Sequence, residues 1–297
     1  MSFKEKLGFH EKWHAGVQDY RTKVKYSINE PIIQYIFDTL NIKQGFFLEF
    51  GAWDGINLSN ARLLFEKNWN GMFIEGDKTK FEDLRDNYLN TNILVENIYL
   101  DDQHNNINKV LENNKIQHID FCSIDVDGLD LKLFKTFNDV LPTVVCIEGA
   151  QVVHPLFKGS ISLEVERDNV TQSLYKYNQT FTNKGYRLLF AYQDCFFIKE
   201  EYIHLFDISN NLVELYLDGL ETLPRIPWLF EKGKKHLIKN FTSIDKSVES
   251  YFKNINSHYA YKKFRKLRSQ ISNLNNDFNI KVLTRALDVY AEDKLYV

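Results

Sequence analysis

The chain has 297 residues, of which 44% are hydrophobic and 26% charged, and its formal net charge is −3 at pH 7. This length is enough for a complete hydrophobic core plus an additional segment, and the slight negative charge argues against a globally basic surface for nucleic acid. No apolar stretch reaches the roughly 18 to 20 residues that cross a bilayer, and Met1 to Lys6 lack the apolar core of a signal peptide. The composition therefore predicts a globular, cytoplasmic protein.

The first predicted element is helical. Pro31 is well placed to begin a helix that runs to Leu40, because proline is tolerated in the first turn and the apolar residues that follow recur at helical spacing. We therefore predict a separate N-terminal helical segment over residues 1–40.

The next run, FFLEFGAWDG over residues 46–55, predicts a strand, a tight loop and then a helix. Gly51 and Gly55 allow a ligand to approach closely, and the following helix N-terminus would present free N–H groups to an anionic group. Glu49 and Asp54 make the loop acidic, which disfavours a phosphate and favours a ligand with cationic and hydroxyl groups. S-adenosylmethionine carries an ammonium, a sulfonium and a ribose, so we predict it as the cofactor. The predicted contacts in this loop are Glu49, Gly51, Asp54, Gly55, Asn57 and Ser59.

A second strand is predicted over residues 71–75, ending in Glu75. It follows the glycine turn by about 20 residues, which is the usual spacing of an acid that binds ribose hydroxyls. A carboxylate suits a diol because it can accept two hydrogen bonds at once. The alternative is that Glu75 caps the helix predicted to begin near Lys78.

A third strand is predicted over residues 92–100, followed by a polar helix from about Asn105 to Asn114. Asp101 ends this strand. Its carboxylate is a candidate for the adenine amino group, and solvation at the surface explains it equally well.

Two further strands end in acids. Asp125 and Asp127 follow the apolar run over residues 119–124, and the run over residues 142–148 ends in Glu148. Carboxylates cannot be buried unpaired at low cost, so these acids face solvent, a metal or a ligand. Because parallel strands present their carboxyl ends at one edge of a sheet, we expect the acids to converge. The converging set is Glu49, Glu75, Asp125, Asp127 and Glu148.

The pattern changes after Glu148. Residues 149–169 look like an irregular insertion, a helix follows over 173–181 with Lys184 and Gly185 at its end, and residues 186–190 and 195–198 predict a hairpin. Five βα units followed by an antiparallel hairpin are typical of the methyltransferase version of the doubly wound α/β sheet. Cys122, Cys146 and Cys195 lie in apolar runs without metal-type spacing, which predicts buried thiols.

The remainder, residues 205–297, is predicted to be a helical, basic and aromatic extension of a central domain over residues 41–204. Its densest basic stretch is YAYKKFRKLR over residues 259–268. Such a stretch can bind an anionic glycan or contact a membrane surface peripherally, but more often it is one solvated helix face with its aromatic residues packed underneath. The oligomeric state stays open, and a homo-oligomer is compatible with the sequence.

Several of these segments together resemble the FkbM-type S-adenosylmethionine-dependent methyltransferases. The resemblance covers about residues 40 to 200 and implies a class I methyltransferase fold and O-methylation, often of a sugar or surface-glycan precursor. The chain has Asp-Val-Asp-Gly where many members have Asp-x-Glu-Gly, which leaves the acceptor in doubt. The resembling segments are FLEFGAWDG over 47–55, FIEGD over 73–77, IDFCSIDVDG over 119–128 and VVCIE over 144–148.

Methyl transfer to a sugar hydroxyl needs a base or a metal that lowers the pKa of the hydroxyl. We predict Mg²⁺ held by Asp125, Asp127 and Glu148, with His154 as the catalytic base, or Asp125 as the base in the absence of metal. Two alternatives stay open. One is a metal-dependent glycosyltransferase that uses Asp125 and Asp127 to bind a nucleotide-sugar, and the other is a non-catalytic binding protein on a methyltransferase fold.

Overall fold

The computed structural model describes residues 26–27, 29–100, 106–126, 128–148, 160–162, 170–172, 174–191, 194–212 and 215. Of the predicted functional residues, Asp101, Asp127 and His154 lie outside these ranges, as does the basic stretch 259–268. The predicted C-terminal extension lies mostly outside them as well. Their predicted roles therefore stay predictions.

Within the described ranges, helices and strands alternate up to the fifth strand and a hairpin closes the domain. The elements are α1 Glu30–Leu40, β1 Phe46–Phe50, α2 Arg62–Glu66, β2 Asn70–Glu75, α3 Lys78–Tyr88, β3 Leu94–Asn97, α4 Ile107–Asn113, β4 Phe121–Ile124, α5 Asp130–Thr136, β5 Val144–Glu148, β6 Ser160–Ser162, β7 Val170–Gln172, α6 Leu174–Thr182, β8 Tyr186–Ala191, β9 Asp194–Lys199 and a 3₁₀ helix Glu200–Leu205.

Seven of the strands form one mixed sheet in the order β3-β2-β1-β4-β5-β9-β8. Strands β1 to β5 pair in parallel, whereas β9 pairs antiparallel with both β5 and β8. This arrangement confirms the predicted Rossmann-like class I methyltransferase sheet that ends in an antiparallel hairpin. The strand order reverses between β1 and β4, and a crevice opens at the carboxyl ends of the strands at such a switch point.

The core lies on both faces of the sheet, and α1 is part of it. Strand β4 is buried along its whole length, as expected for a parallel strand covered on both sides. Pro31 lies in the first turn of α1, as predicted, and Ile32, Ile33 and Ile36 of that helix are fully buried in the same core. The helix ends at Leu40 because Asn41 adopts a left-handed backbone conformation, with φ of 55°.

The hairpin is anchored by stacked aromatic rings. Phe181 of α6 lies between Phe134 and Phe197, with ring centroids 3.7 and 3.8 Å away. Gly185, with φ of 80°, turns the chain from α6 into β8, as the predicted helix end requires. The three cysteines are free and buried, which confirms the prediction for them.

The predicted irregular insertion needs a correction. Residues 160–162 and 170–172 form strands β6 and β7, which pair antiparallel in a small separate sheet. Strands of three residues are too short to show the alternation by which a strand is recognised in a sequence. None of the described helices is long and apolar enough to cross a membrane.

Candidate functional site

A cavity of about 800 Å³ lies at the carboxyl edge of the sheet, in the crevice between β1, β2 and β4. Six of the predicted site residues line it, whereas Asp54, Gly55 and Glu148 do not. The lining also includes residues that the sequence did not single out, notably Trp53, Leu58, Lys80 and Tyr99. The predicted residues in the lining are Glu49, Gly51, Asn57, Ser59, Glu75 and Asp125.

Glu75 is held in a fixed orientation by two backbone N–H groups. Its Oε2 accepts from the Trp53 N–H and its Oε1 from the Asp77 N–H, each at 2.8 Å, and the side chain is buried. A carboxylate has about four acceptor positions, so each oxygen keeps one for a ligand in the cavity. The alternative in which Glu75 caps α3 is wrong, because Asp77 is the cap and accepts from the N–H groups of Thr79 and Lys80.

Glu49 lies buried at the base of the cavity and holds the loop before α2. Its carboxylate accepts from Ser59 Oγ at 2.6 Å, from the Asn60 N–H at 2.8 Å and from the Ala61 N–H at 3.2 Å. Burial raises the pKa of Glu49 to about 7, against the lowering effect of these hydrogen bonds, and the charge of Asp125 raises it further.

These contacts correct the prediction that the N-terminus of α2 offers free N–H groups to an anion. Glu49 takes the N–H groups of Asn60 and Ala61, and Ser59 Oγ accepts from the Arg62 N–H at 3.1 Å. Because a buried carboxylate already occupies this helix end, a second anion there would be repelled. Ser59 is likewise committed to Glu49 and Arg62.

The two glycines of the loop make room for protein atoms, and Gly51 also lines the cavity, so its contact with a ligand stays a prediction. A Cβ on Gly51, where φ is 67°, would lie 1.8 Å from the Asp125 carbonyl oxygen. A Cβ on Gly55, where φ is 71°, would lie 2.4 Å from a ring carbon of Tyr88. Asp54 closes the turn over residues 54–57, since its Oδ1 accepts from the N–H groups of Ile56 and Asn57.

Three carboxylates from β4, α5 and β5 meet beside the cavity. One oxygen each from Asp125, Asp130 and Glu148 lies within 4.8 Å of the others. Asp130 is buried and accepts from the N–H groups of Val126 and Gly128 at 2.8 and 2.9 Å. Burial raises its pKa to about 6, and the charge of Asp125 adds to the effect.

Asp130 was not among the predicted metal ligands. The sequence places it in the first turn of a helix, where an acid is usually explained by the helix dipole. The sequence does contain a signal for it. Asp130 follows Asp125 by five residues with Gly128 between them, and a tight turn at this glycine brings the two acids together.

A buried polar network supports the cavity wall from behind. Asn60 donates through Nδ2 to Ser123 Oγ at 3.0 Å, and its Oδ1 accepts from Asn29 Nδ2 at 2.9 Å. Asn29 Nδ2 also donates to Asp194 of β9. Asn29, which precedes α1, thus contacts the loop that contains the hydrogen-bond donors to Glu49. Residues before β1 therefore contribute to the shape of the site.

Comparisons with known proteins give no family model and no curated protein that matches this chain. Among solved structures it is similar to M. capricolum TrmK in complex with S-adenosyl-homocysteine, at 10% identity over 87% of this chain and 96% of that chain, with a TM-score of 0.40. A putative caffeoyl-CoA O-methyltransferase from Staphylococcus aureus is 16% identical over 67% and 93% of the two chains, with a TM-score of 0.39. CalS10, an amino pentose methyltransferase from Micromonospora echinaspora, is 8% identical over 56% and 87%, with a TM-score of 0.35. These similarities concern the fold alone.

Proposed function

We propose that the protein is an S-adenosylmethionine-dependent O-methyltransferase that acts on a hydroxyl of a sugar or surface-glycan precursor. Glu75 carries this proposal. Its carboxylate is fixed by the N–H groups of Trp53 and Asp77 at the wall of an 800 Å³ cavity, with one acceptor position left on each oxygen. That arrangement suits the two adjacent hydroxyls of a ribose.

The charge and polarity of the cavity fit the same cofactor. Four carboxylates and one ammonium group line it, from Glu49, Glu75, Asp77, Asp125 and Lys80. Such a surface attracts the ammonium and sulfonium groups of the cofactor and repels a diphosphate. Beyond Glu75, the lining turns apolar with Ile98, Tyr99 and Leu100, which suits a purine. When bound, the cofactor supplies an electrophilic methyl group.

The acceptor hydroxyl needs a proton acceptor near this methyl group. Asp125 is exposed at the end of β4 and lines the cavity, so we propose it as the group that receives the proton. A divalent cation would be held by Asp125, Asp130 and Glu148, whose carboxylate oxygens are the ligands that Mg²⁺ and Ca²⁺ prefer. Such a cation would lower the pKa of a hydroxyl bound to it. Asp127 and His154 stay candidates from the sequence.

The sugar acceptor has a different basis. It follows from the resemblance of the sequence to the FkbM-type methyltransferases and from no contact within the described residues. We therefore keep the class of acceptor broad, as a sugar, a nucleotide-sugar or an oligosaccharide.

The test is calorimetric titration of the full chain with S-adenosylhomocysteine, with and without Mg²⁺, followed by transfer of a labelled methyl group to a panel of these acceptors. We expect micromolar binding by the wild type and none by Glu75→Gln, because the amide removes the charge and one acceptor. Glu82→Gln on the exposed side of α3 is the matched control and should bind as the wild type does. Binding of a nucleotide-sugar with Mn²⁺, in place of S-adenosylhomocysteine, would overturn the proposal.

A further inference from the structure

Large apolar side chains are concentrated at the rim of the cavity. Six are exposed among the described residues, and Trp53, Leu58 and Tyr99 of these six line this one cavity. The exposed fractions of their side chains are 43%, 68% and 69%. Exposed apolar groups that cluster at a concave polar site are typical of a surface that a ligand covers.

Trp53 also has a strained backbone. Its φ of 48° lies in the left-handed region, which bulky side chains rarely adopt, and Leu58 in the same loop has φ of 60°. Glycine or asparagine would fit both positions at a lower cost in folding free energy. Strain of this kind persists only when the surrounding structure holds it in place, and bulky residues under such strain cluster at ligand-binding sites.

Two contacts hold Trp53 at the Glu75 end of the cavity, one through its backbone and one through its indole. Its backbone N–H donates to Glu75, so the residue cannot move without the carboxylate. The Lys80 ammonium lies 5.5 Å from the indole centroid, within the range of a cation–π interaction. Across Gly76, the Tyr99 ring lies so close that a Cβ on this glycine would be 2.4 Å from it. Two exposed aromatic rings therefore flank the segment that begins with Glu75.

We propose that the indole of Trp53 covers the nucleoside portion of the cofactor and determines its affinity, with Lys80 as the residue that positions the indole. This inference rests on the proposed function and adds a residue to it. An indole above the ribose would exclude water from the hydrogen bonds to Glu75 and would bury its own exposed face in the same step. In this proposal the indole does not contact the homocysteine portion. Trp53 therefore contributes to the affinity for the adenosine half of the cofactor.

The experiment titrates S-adenosylhomocysteine and adenosine, separately, into the full-length wild type and three variants. Trp53→Gly removes the ring and relieves the backbone strain, so we expect both ligands to bind about 10-fold more weakly while the thermal midpoint is unchanged or higher. Trp53→Phe keeps an aromatic ring and should lose about 3-fold or less. Leu89→Ala, an exposed leucine outside the cavity, is the control and should behave as the wild type.

Two further measurements distinguish direct contact between the Trp53 indole and the ligand from a purely structural role of this residue. Ligand binding should quench tryptophan emission in the wild type, and the quench should disappear in Trp53→Phe although calorimetry still detects binding. Lys80→Met should weaken the binding of adenosine, which is uncharged, about 3-fold in the wild-type background and have no effect on it in Trp53→Gly, because Lys80 acts on this ligand through the indole.

The inference is overturned if Trp53→Gly binds both ligands within about 2-fold of the wild type, or if only S-adenosylhomocysteine is affected. It also falls if the fluorescence quench persists in Trp53→Phe. A wild type that binds neither ligand would instead refute the methyltransferase proposal itself and this inference with it. The two failures are therefore distinguishable.

Discussion

The backbone N–H of Trp53 donates to the Glu75 carboxylate at 2.8 Å, across 22 positions of the chain. This hydrogen bond joins the loop after β1 to the end of β2, which are neighbouring parallel strands. With the second bond from Asp77, it fixes the plane of the carboxylate before any ligand arrives. A preorganised acceptor avoids the entropy cost of ordering the side chain when the ligand binds. The loss of Glu75 should therefore weaken binding by more than the loss of an exposed, mobile acceptor would.

The first prediction separates cofactor binding from catalysis. Glu75→Ala should abolish binding of S-adenosylhomocysteine, because it removes the proposed ribose acceptor. Asp127→Ala should preserve that binding and reduce turnover, because Asp127 is predicted to act on the acceptor side. Calorimetry and a methyl-transfer assay measure the two effects. Normal binding and normal turnover in both variants would show that the edge of the sheet has been misassigned.

The second prediction concerns pH and Glu49. Its pKa of about 7 in the folded protein exceeds its value of 4.5 in an unfolded chain, so the folded state binds more protons between these values. The free energy of unfolding should therefore fall as pH rises from about 4.5 to 7 and then level off, with a contribution of about 3 kcal/mol. Glu49→Gln should remove the slope between about pH 6 and 7 in denaturant titrations, whereas part of the slope below pH 6 should remain, because the pKa of Asp130 is also raised, to about 6. An unchanged slope in that variant would assign the pH dependence to other groups.

The third prediction compares two glycines with left-handed backbones. Gly185→Ala meets no atom within 4 Å, so it should cost only the backbone strain, about 1 kcal/mol. Gly51→Ala would bring a Cβ to 1.8 Å from the Asp125 carbonyl oxygen, a clash between two backbones that no side-chain rotation relieves. We expect this variant to lose several times more stability, or to fail to fold. Equal thermal midpoints for the two variants would contradict the packing described for Gly51.

The architecture of the seven-stranded sheet was predictable because its strands are marked by local signals, which the three-residue strands β6 and β7 lack. The buried run before Gly51, the acid at position 75 and the hairpin after Gly185 each gave a boundary that the structure has. The pairing of β8 with β9 was predicted as a hairpin, whereas the position of β9 between β5 and β8 was found only in the structure.

The roles of the loop residues were less predictable, because they depend on contacts between distant segments. In the sequence, Glu49 is one of two acids in an acidic loop. In the structure, its carboxylate accepts hydrogen bonds from Ser59 and from two backbone N–H groups. Asp130 joins Asp125 and Glu148 only because the chain reverses at Gly128. Trp53 was given no role in the sequence analysis, although it lies in the predicted loop, because its exposure could be seen only in the structure.

The fourth prediction tests the carboxylates beside the cavity. If Asp125, Asp130 and Glu148 hold a divalent cation, then Mg²⁺ or Ca²⁺ should raise the thermal midpoint, because binding to the folded state alone stabilises it. Glu148→Gln should remove the shift, whereas Asp86→Asn, at an exposed aspartate of α3, should keep it. No shift in the wild type with either ion would exclude this cation site and leave Asp125 as the proposed base without metal.

The last prediction concerns Gly76 and Tyr99. A Cβ on Gly76 would lie 2.4 Å from the Tyr99 ring, so this ring, of a residue that is 69% exposed, would have to move away. Gly76→Ala should therefore destabilise the protein much less than Gly51→Ala, where the clash is between two backbones. The displaced ring would no longer flank the cavity, so binding of S-adenosylhomocysteine should weaken as much as it does in Tyr99→Ala. The double variant should show no additional loss, because both changes remove the same contact. Wild-type affinity in Gly76→Ala, or additive losses in the double variant, would mean that Tyr99 does not bind the cofactor.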